Sequence, residues 1–149
     1  MYGDTDVLRR RVDQLREQAT DVRALADQLV AQTESIGWSG RAAESMRVRV
    51  TERATHLRGA AAQHETAADL LDKHLQEVDR AQEVIAAVER KATSLVAEAR
   101  TRLARIHAAA ADAPSTVRVE PDPDDDVLAA FEAPPTGHRD WLSVELPGL

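Results

Sequence analysis

Apolar residues in the first part of the chain recur at alternating intervals of four and three: Leu8, Val12, Leu15, Ala19, Val22, Ala26 and Leu29. This spacing draws one stripe along an α-helix, and its seven-residue repeat is the seam of a coiled coil. Leu25 widens the stripe, while Arg9, Arg10, Asp13, Arg16, Glu17, Arg23 and Asp27 fall mostly off it. Asp4 or Thr5 can cap the first free amides with a side-chain oxygen, so the pattern predicts an amphipathic helix from there to about Thr33.

A second stripe starts close to Ser39 or Gly40, with Ser39 as a candidate cap. It passes through Ala43, Met46, Val50, Ala54, Leu57, Ala61, His64, Ala68, Leu71, Leu75 and Val78. The extra four-residue step from Val50 to Ala54 relaxes the supercoil locally. Beyond Val78 the phase shifts through Ala81 and resumes through Ile85, Val88, Ala92, Leu95, Ala99, Leu103 and Ile106. No glycine or proline lies between Gly59 and Pro114. One continuous helix over residues 41–111 is therefore favoured over a break at residues 91–94, where Thr93 or Ser94 could cap a third helix. The expected fold is all-α: an antiparallel helical hairpin with an extended second helix. A tight turn places Leu8 near Ala68, and the first helix offers no partner surface beyond about Leu71.

The turn itself is Ile36-Gly37-Trp38-Ser39-Gly40. Glycine takes left-handed backbone angles without steric penalty and ends helices readily. A turn needs no indole, so Trp38 reads as a plug packed between the two helix ends. A Trp-x-Gly turn between two helices near residue forty resembles the WxG (ESAT-like) family of small proteins exported by type VII secretion. Trp38, Ser39 and Gly40 carry the match, which covers about residues 5 to 75. The resemblance implies export as a paired helical hairpin rather than catalysis. It also implies an export signal after the second helix, a tyrosine followed four residues later by Asp or Glu. The only tyrosine, Tyr2 with Asp6, stands at the opposite end, whereas Trp141 with Glu145 has the position and spacing with a different aromatic. A partner that supplies the signal is the alternative.

Composition narrows the picture. The chain is 43% apolar but only 3% aromatic, and alanine supplies much of the apolar share, which favours close-packed helices over a thick core. Absence of cysteine excludes a disulfide framework and thiolate metal sites. Arginine far outnumbers lysine, as a GC-rich coding sequence would give. The net charge of −7 resides entirely beyond residue 111, where Pro114, Pro121 and Pro123 accompany Asp122, Asp124, Asp125 and Asp126. Residues 1–111 thus read as a helical hairpin or coiled-coil domain. Residues 112–149 read as an acidic, proline-rich, flexible and disordered tail. Within it, Val127–Glu132 has room for a turn or two of helix before Pro134-Pro135, and an apolar segment closes the chain. The acidic start, Met1 to Val7, lacks the apolar stretch of a cleavable signal peptide, and no run approaches the ~18 apolar residues of a membrane span. Secretion or surface display by the type VII route is the expected localisation, with the cytoplasm as the alternative.

Candidate chemistry is sparse. His56, His64, His74, His107 and His138 include no pair three or four residues apart on a helix, the spacing that lets two imidazoles hold one metal. His64, on the seam, reads as a polar packing residue. There is no phosphate-cradling glycine loop and no nucleophile elbow. The expectation is no catalytic residue, no cofactor and no metal, hence no enzyme. Arg41, Arg47, Arg49, Arg53 and Arg58 lack aromatic stacking partners and are interleaved with Glu44 and Glu52, so they read as a solvated, ion-paired face rather than a nucleic-acid interface.

Function is then expected to lie in helix-bundle association. Two hairpins, as a homodimer or as a heterodimer with another helical-hairpin protein, would complete a four-helix bundle. Its interface would be drawn from Leu8, Val12, Leu15, Val22, Leu29, Met46, Val50, Leu57, Leu71 and Leu75. The turn motif is Trp38 and Gly40. Trp141, Glu145, Leu146 and Leu149 form a candidate export or docking signal, with the secretion ATPase as its reader; packing back onto the seam around Ile85 to Ile106 is the competing role for that segment. An intracellular coiled-coil scaffold or adaptor is the alternative function.

Overall fold

The computed structural model describes residues 2–112 and 120–149. Two long helices, α1 (Tyr2–Ser35) and α2 (Arg41–Asp112), are followed by a short α3 (Pro123–Ala129) and a 3-10 turn over Arg139–Ser143. The all-α hairpin expected from the periodicity is present. α2 is unbroken through residues 91–94, where Thr93 donates its hydroxyl to the Glu89 carbonyl 2.7 Å away inside the helix instead of capping a new one. No helix among the described residues is long and apolar enough to cross a membrane. The chain forms two compact units, residues 1–78 and 79–149, with α2 contributing to both. Its contacts therefore do not divide at residue 111.

In the first unit, α1 packs antiparallel on the first part of α2 along an alanine seam. Ala19, Ala26, Ala54, Ala61 and Ala68 are each 0% exposed, and Val12 and Leu75 extend the line. On each helix these residues recur every seventh position, and a methyl group at the contact lets two helix axes approach at the short end of the ~8–10 Å range. Ala68 clusters with Val12 and Leu75, and Leu8, the residue expected near Ala68, packs against the same cluster. Leu15 and Leu71 pack around it as well.

The two flanks of the seam differ. On a helix that turns ~100° per residue, positions one or four after a seam residue lie on one side and positions three after lie on the other. The first set makes the interhelical ion pairs: Arg16 with Asp69 and Asp72, both at 3.2 Å, Arg23 with Glu65, and Arg58 with Asp27 at 2.6 Å. The second set is apolar. Leu15, Val22 and Leu29 on α1 and Leu57, Leu71 and Val78 on α2 follow seam residues by three and are half-buried, as is His64 in the same column.

The second unit departs from the expected tail. Residues 120–149, read from composition as disordered, lie against residues 79–112 as an ordered strap. Of the proline-rich linker, residues 113–119 lie outside the described residues. The rest is organised by Asp122, whose side chain accepts from the Asp124 amide at 3.0 Å, and by Pro123 at the first helical position, where its missing N–H costs nothing. α3 thus starts ahead of the Val127 expected for it. Asp125, 5% exposed, receives the Arg102 guanidinium through Nε at 2.9 Å. Trp141, 2% exposed, clusters with Ile85 and Ala92, and Val88, Phe131, Val144, Leu146 and Leu149 close around them. The Trp141 indole N–H donates to the Pro135 carbonyl at 3.1 Å, the Gly137 amide to Glu89 at 3.2 Å, and Arg100 to the Ala129 carbonyl at 3.3 Å.

Packing and charge in the two units can each be tested. Ala61→Leu forces a branched side chain between closely spaced backbones and is expected to destabilise the first unit by ~1–3 kcal/mol, measured by chemical denaturation. Hydrogen bonds from Arg23 and Arg102 hold the Glu65 and Asp125 carboxyls below their ordinary range. A depressed carboxylate pKa contributes stability above the unfolded value and loses it as pH falls through the folded one. Melting temperature should therefore decline as pH drops through and below the ordinary carboxylate range, and Glu65→Gln with Asp125→Asn should flatten that decline.

Candidate functional site: the hairpin turn and its apolar flank

α1 ends at Ser35, and the chain crosses to Arg41 through Ile36–Gly40. The Trp38 amide donates to the Ile36 carbonyl at 2.8 Å, tightening the first corner. Gly40 has φ +98°, which an L side chain rarely adopts, and its carbonyl accepts the Glu44 amide at 3.1 Å. Gly40, rather than Ser39, therefore opens α2. Arg47 reaches back to donate to the Trp38 carbonyl at 2.7 Å and pairs with Glu44 at 3.4 Å. Of the arginine group read as ion-paired, Arg47 and Arg58 are in such pairs.

Trp38 is not a plug. Its residue is 65% exposed, and it lines a shallow cavity of about 80 Å³ with Thr33, Ile36, Ala43, Met46 and Arg47. The alanine seam brings the helices together with small side chains, and Ala43 continues that pattern at the turn, leaving no indole-sized gap between the helix ends. Ile36 and Met46 are also exposed, so the turn presents an apolar tip backed by a fixed loop.

The residues expected to form a partner interface separate into three groups. Val12 and Leu75 are buried inside the hairpin and are not offered to a partner. Leu8, Leu15, Val22, Leu29, Val50, Leu57 and Leu71 are half-buried along the flank opposite the ion pairs, and they form one face. Met46 stands exposed at the tip. Reading the stripe as one surface misses that it is two columns, alanine at the contact and leucine or valine beside it. The regular alternation of small and large residues is the signal that separates them.

His64 occupies the large-residue column, and its Nδ1 is buried without a hydrogen-bond partner. Of the C-terminal candidates, Trp141 is buried, Leu146 and Leu149 are half-buried in its cluster, and Glu145 is exposed. The structure therefore draws most of that segment into the second unit. Among the described residues, no three histidine or carboxylate side chains gather closely enough to hold a metal ion. No protein-family profile, characterised protein or solved structure matches the chain.

The two tryptophans give a paired prediction. Trp38→Ala is expected to change stability by no more than about 0.5 kcal/mol, as for an exposed side chain. Trp141→Ala should cost ~3–5 kcal/mol in the second unit. Tryptophan-specific fluorescence and circular dichroism melts on the two variants check both values.

Proposed function

We propose that this protein acts by helix-bundle association, as a WxG-like type VII secretion substrate or as the helical partner and targeting factor of a larger secreted substrate. The observation that carries the reading is the asymmetry of the hairpin. One flank of the alanine seam is closed by arginine–carboxylate pairs, and the other carries a column of half-buried leucines and valines that a second pair of helices would cover. The Trp38-Ser39-Gly40 turn between the helices, with its indole outward, supports the WxG assignment, because an exposed tryptophan on a fixed loop suits recognition better than stability. In this reading the protein has no catalytic site, cofactor or nucleic-acid partner, and its route leads to the cell surface or medium.

A second reading, an intracellular coiled-coil scaffold or adaptor, is favoured by one observation. Trp141 is buried against Ile85 and Ala92, so the aromatic placed like the family's export signal is not presented. Under the first reading, a partner then supplies the signal.

A tagged chain expressed in a type VII-competent host and in the same host lacking the secretion ATPase separates the two. Extracellular accumulation confined to the competent host is expected, and Trp38→Ala should reduce it while leaving the melt unchanged. Retention inside both hosts, even when candidate hairpin partners are co-expressed, would establish the scaffold reading instead.

A further inference from the structure

Aromatic residues are scarce in this chain, yet its one phenylalanine and one of its two tryptophans, Phe131 and Trp141, wall the same cleft of the second unit. The cleft has a volume of about 300 Å³ and lies between α2, which contributes Val96 and Ala97, and the strap, which contributes Ala133 beside the two rings. Small residues on both sides leave this space open. The rings stand 6.1 Å apart with 57° between their planes, a tilted pair rather than a stack, so neither buries its face on the other. Trp141 is buried, Phe131 is half-buried and Ala97 is exposed, which leaves the cleft open to solvent beside Ala97. Arg100 is the one charged residue that lines it. Its guanidinium donates to the neutral Ala129 carbonyl at 3.3 Å, and among the described residues it meets no carboxylate. Arg102, by contrast, is neutralised by Asp125 and Glu98. Thr93 also lines the cleft but commits its hydroxyl proton to the Glu89 carbonyl, so an anion entering there finds its donors on Arg100.

We propose that this cleft binds a small aromatic carboxylate, with its ring held among Phe131, Trp141 and Val96 and its carboxylate by Arg100. Small-molecule sites enclose about 300–1,000 Å³ and are lined mainly by apolar and aromatic side chains, with a few polar groups that fix orientation. The cleft stands at the lower limit of that range, which suits a compound with a single ring. Its charge selects the head group. A cation would be repelled by Arg100, and a neutral ring would leave the guanidinium without a counter-charge beside an apolar wall. A carboxylate supplies that charge and accepts stronger, charge-assisted hydrogen bonds. The guanidinium carries several N–H donors, and the Ala129 bond occupies only one of its nitrogens, so the others remain for the ligand. The site belongs wholly to the second unit and goes beyond the bundle reading, since it holds whatever the hairpin associates with.

The test uses the full chain labelled with nitrogen-15, whose two tryptophans give two indole N–H resonances that Trp38→Ala assigns. Phenylacetate is the probe, and phenylacetamide is its neutral counterpart. Phenylacetate should shift the Trp141 resonance saturably and leave that of Trp38 in place. Phenylacetamide should bind about tenfold more weakly, as the loss of a hydrogen bond between two charged groups gives. Arg100→Gln, which keeps an amide donor for the Ala129 carbonyl, should weaken phenylacetate by about the same factor and leave phenylacetamide unchanged. Ala97→Phe fills the cleft from an exposed helix position and should abolish binding of both. Circular dichroism checks that each variant is folded, and Arg100→Gln carries the test if Ala97→Phe is not. The absence of a saturable Trp141 shift at millimolar phenylacetate overturns the proposal. So do equal affinities for acid and amide, an Arg100→Gln protein that binds phenylacetate as the wild type does, and binding that survives in folded Ala97→Phe.

Discussion

Close approach of two helices through alanine is the constraint on which the first unit depends. A methyl contact loses no side-chain entropy on burial and permits short axial separation, yet it buries little apolar surface for each residue. Ala19, Ala26, Ala54, Ala61 and Ala68 are fully covered, and nevertheless no large side chain among the described residues is completely enclosed. Large apolar groups are displaced to one flank and charged groups to the other. The hairpin therefore has one flank closed by ion pairs and one flank lined by half-buried leucines and valines.

The second unit meets the same problem by another means. Ile85, Ala92 and Ala99 continue a seam on α2, but an irregular strap covers it in place of a second long helix. Irregular backbone needs local hydrogen bonding, and the strap supplies it. The Pro135 carbonyl takes the indole N–H, Asp122 caps α3, and the Trp141 and Leu128 carbonyls accept from Val144 and Phe131. Phe131 and Trp141 stand 6.1 Å apart in a tilted arrangement, so the chain's one phenylalanine and one of its two tryptophans are both committed to the strap.

Heptad spacing makes the helices legible in the sequence. Leu8 to Leu29 and Ala43 to Val78 mark α1 and the hairpin part of α2, and the absence of turn residues after Gly59 marks its continuity. What periodicity does not weigh is which column touches. Seam residues at every seventh position, mostly alanine, and leucines three residues later share one stripe in projection, although only the first set is fully buried between the helices. The same limit makes Trp38 read as a plug, since a plug needs a gap that an alanine seam does not leave. The strap escapes a compositional reading because its prolines and aspartates act by position. Asp122-Pro123 is a cap followed by a first helical position, and Asp125 has a cation in Arg102.

The two tryptophans stand in opposite environments. Trp141 has an apolar wall, a hydrogen bond for its indole nitrogen and 2% exposure, so its burial accounts for it. Trp38 is exposed, and the loop beneath it is held by Gly40, by the Arg47 bond to its own carbonyl, and by the start of α2. A rigid loop that holds out an indole gains little folding free energy from the ring. The open flank behaves similarly, because its half-buried leucines retain apolar surface that the hairpin alone leaves in water. Both features belong to the first unit. The second unit has covered its own seam, so under the proposed bundle reading the surfaces left for a partner are on the hairpin, at its tip and along the flank that carries His64.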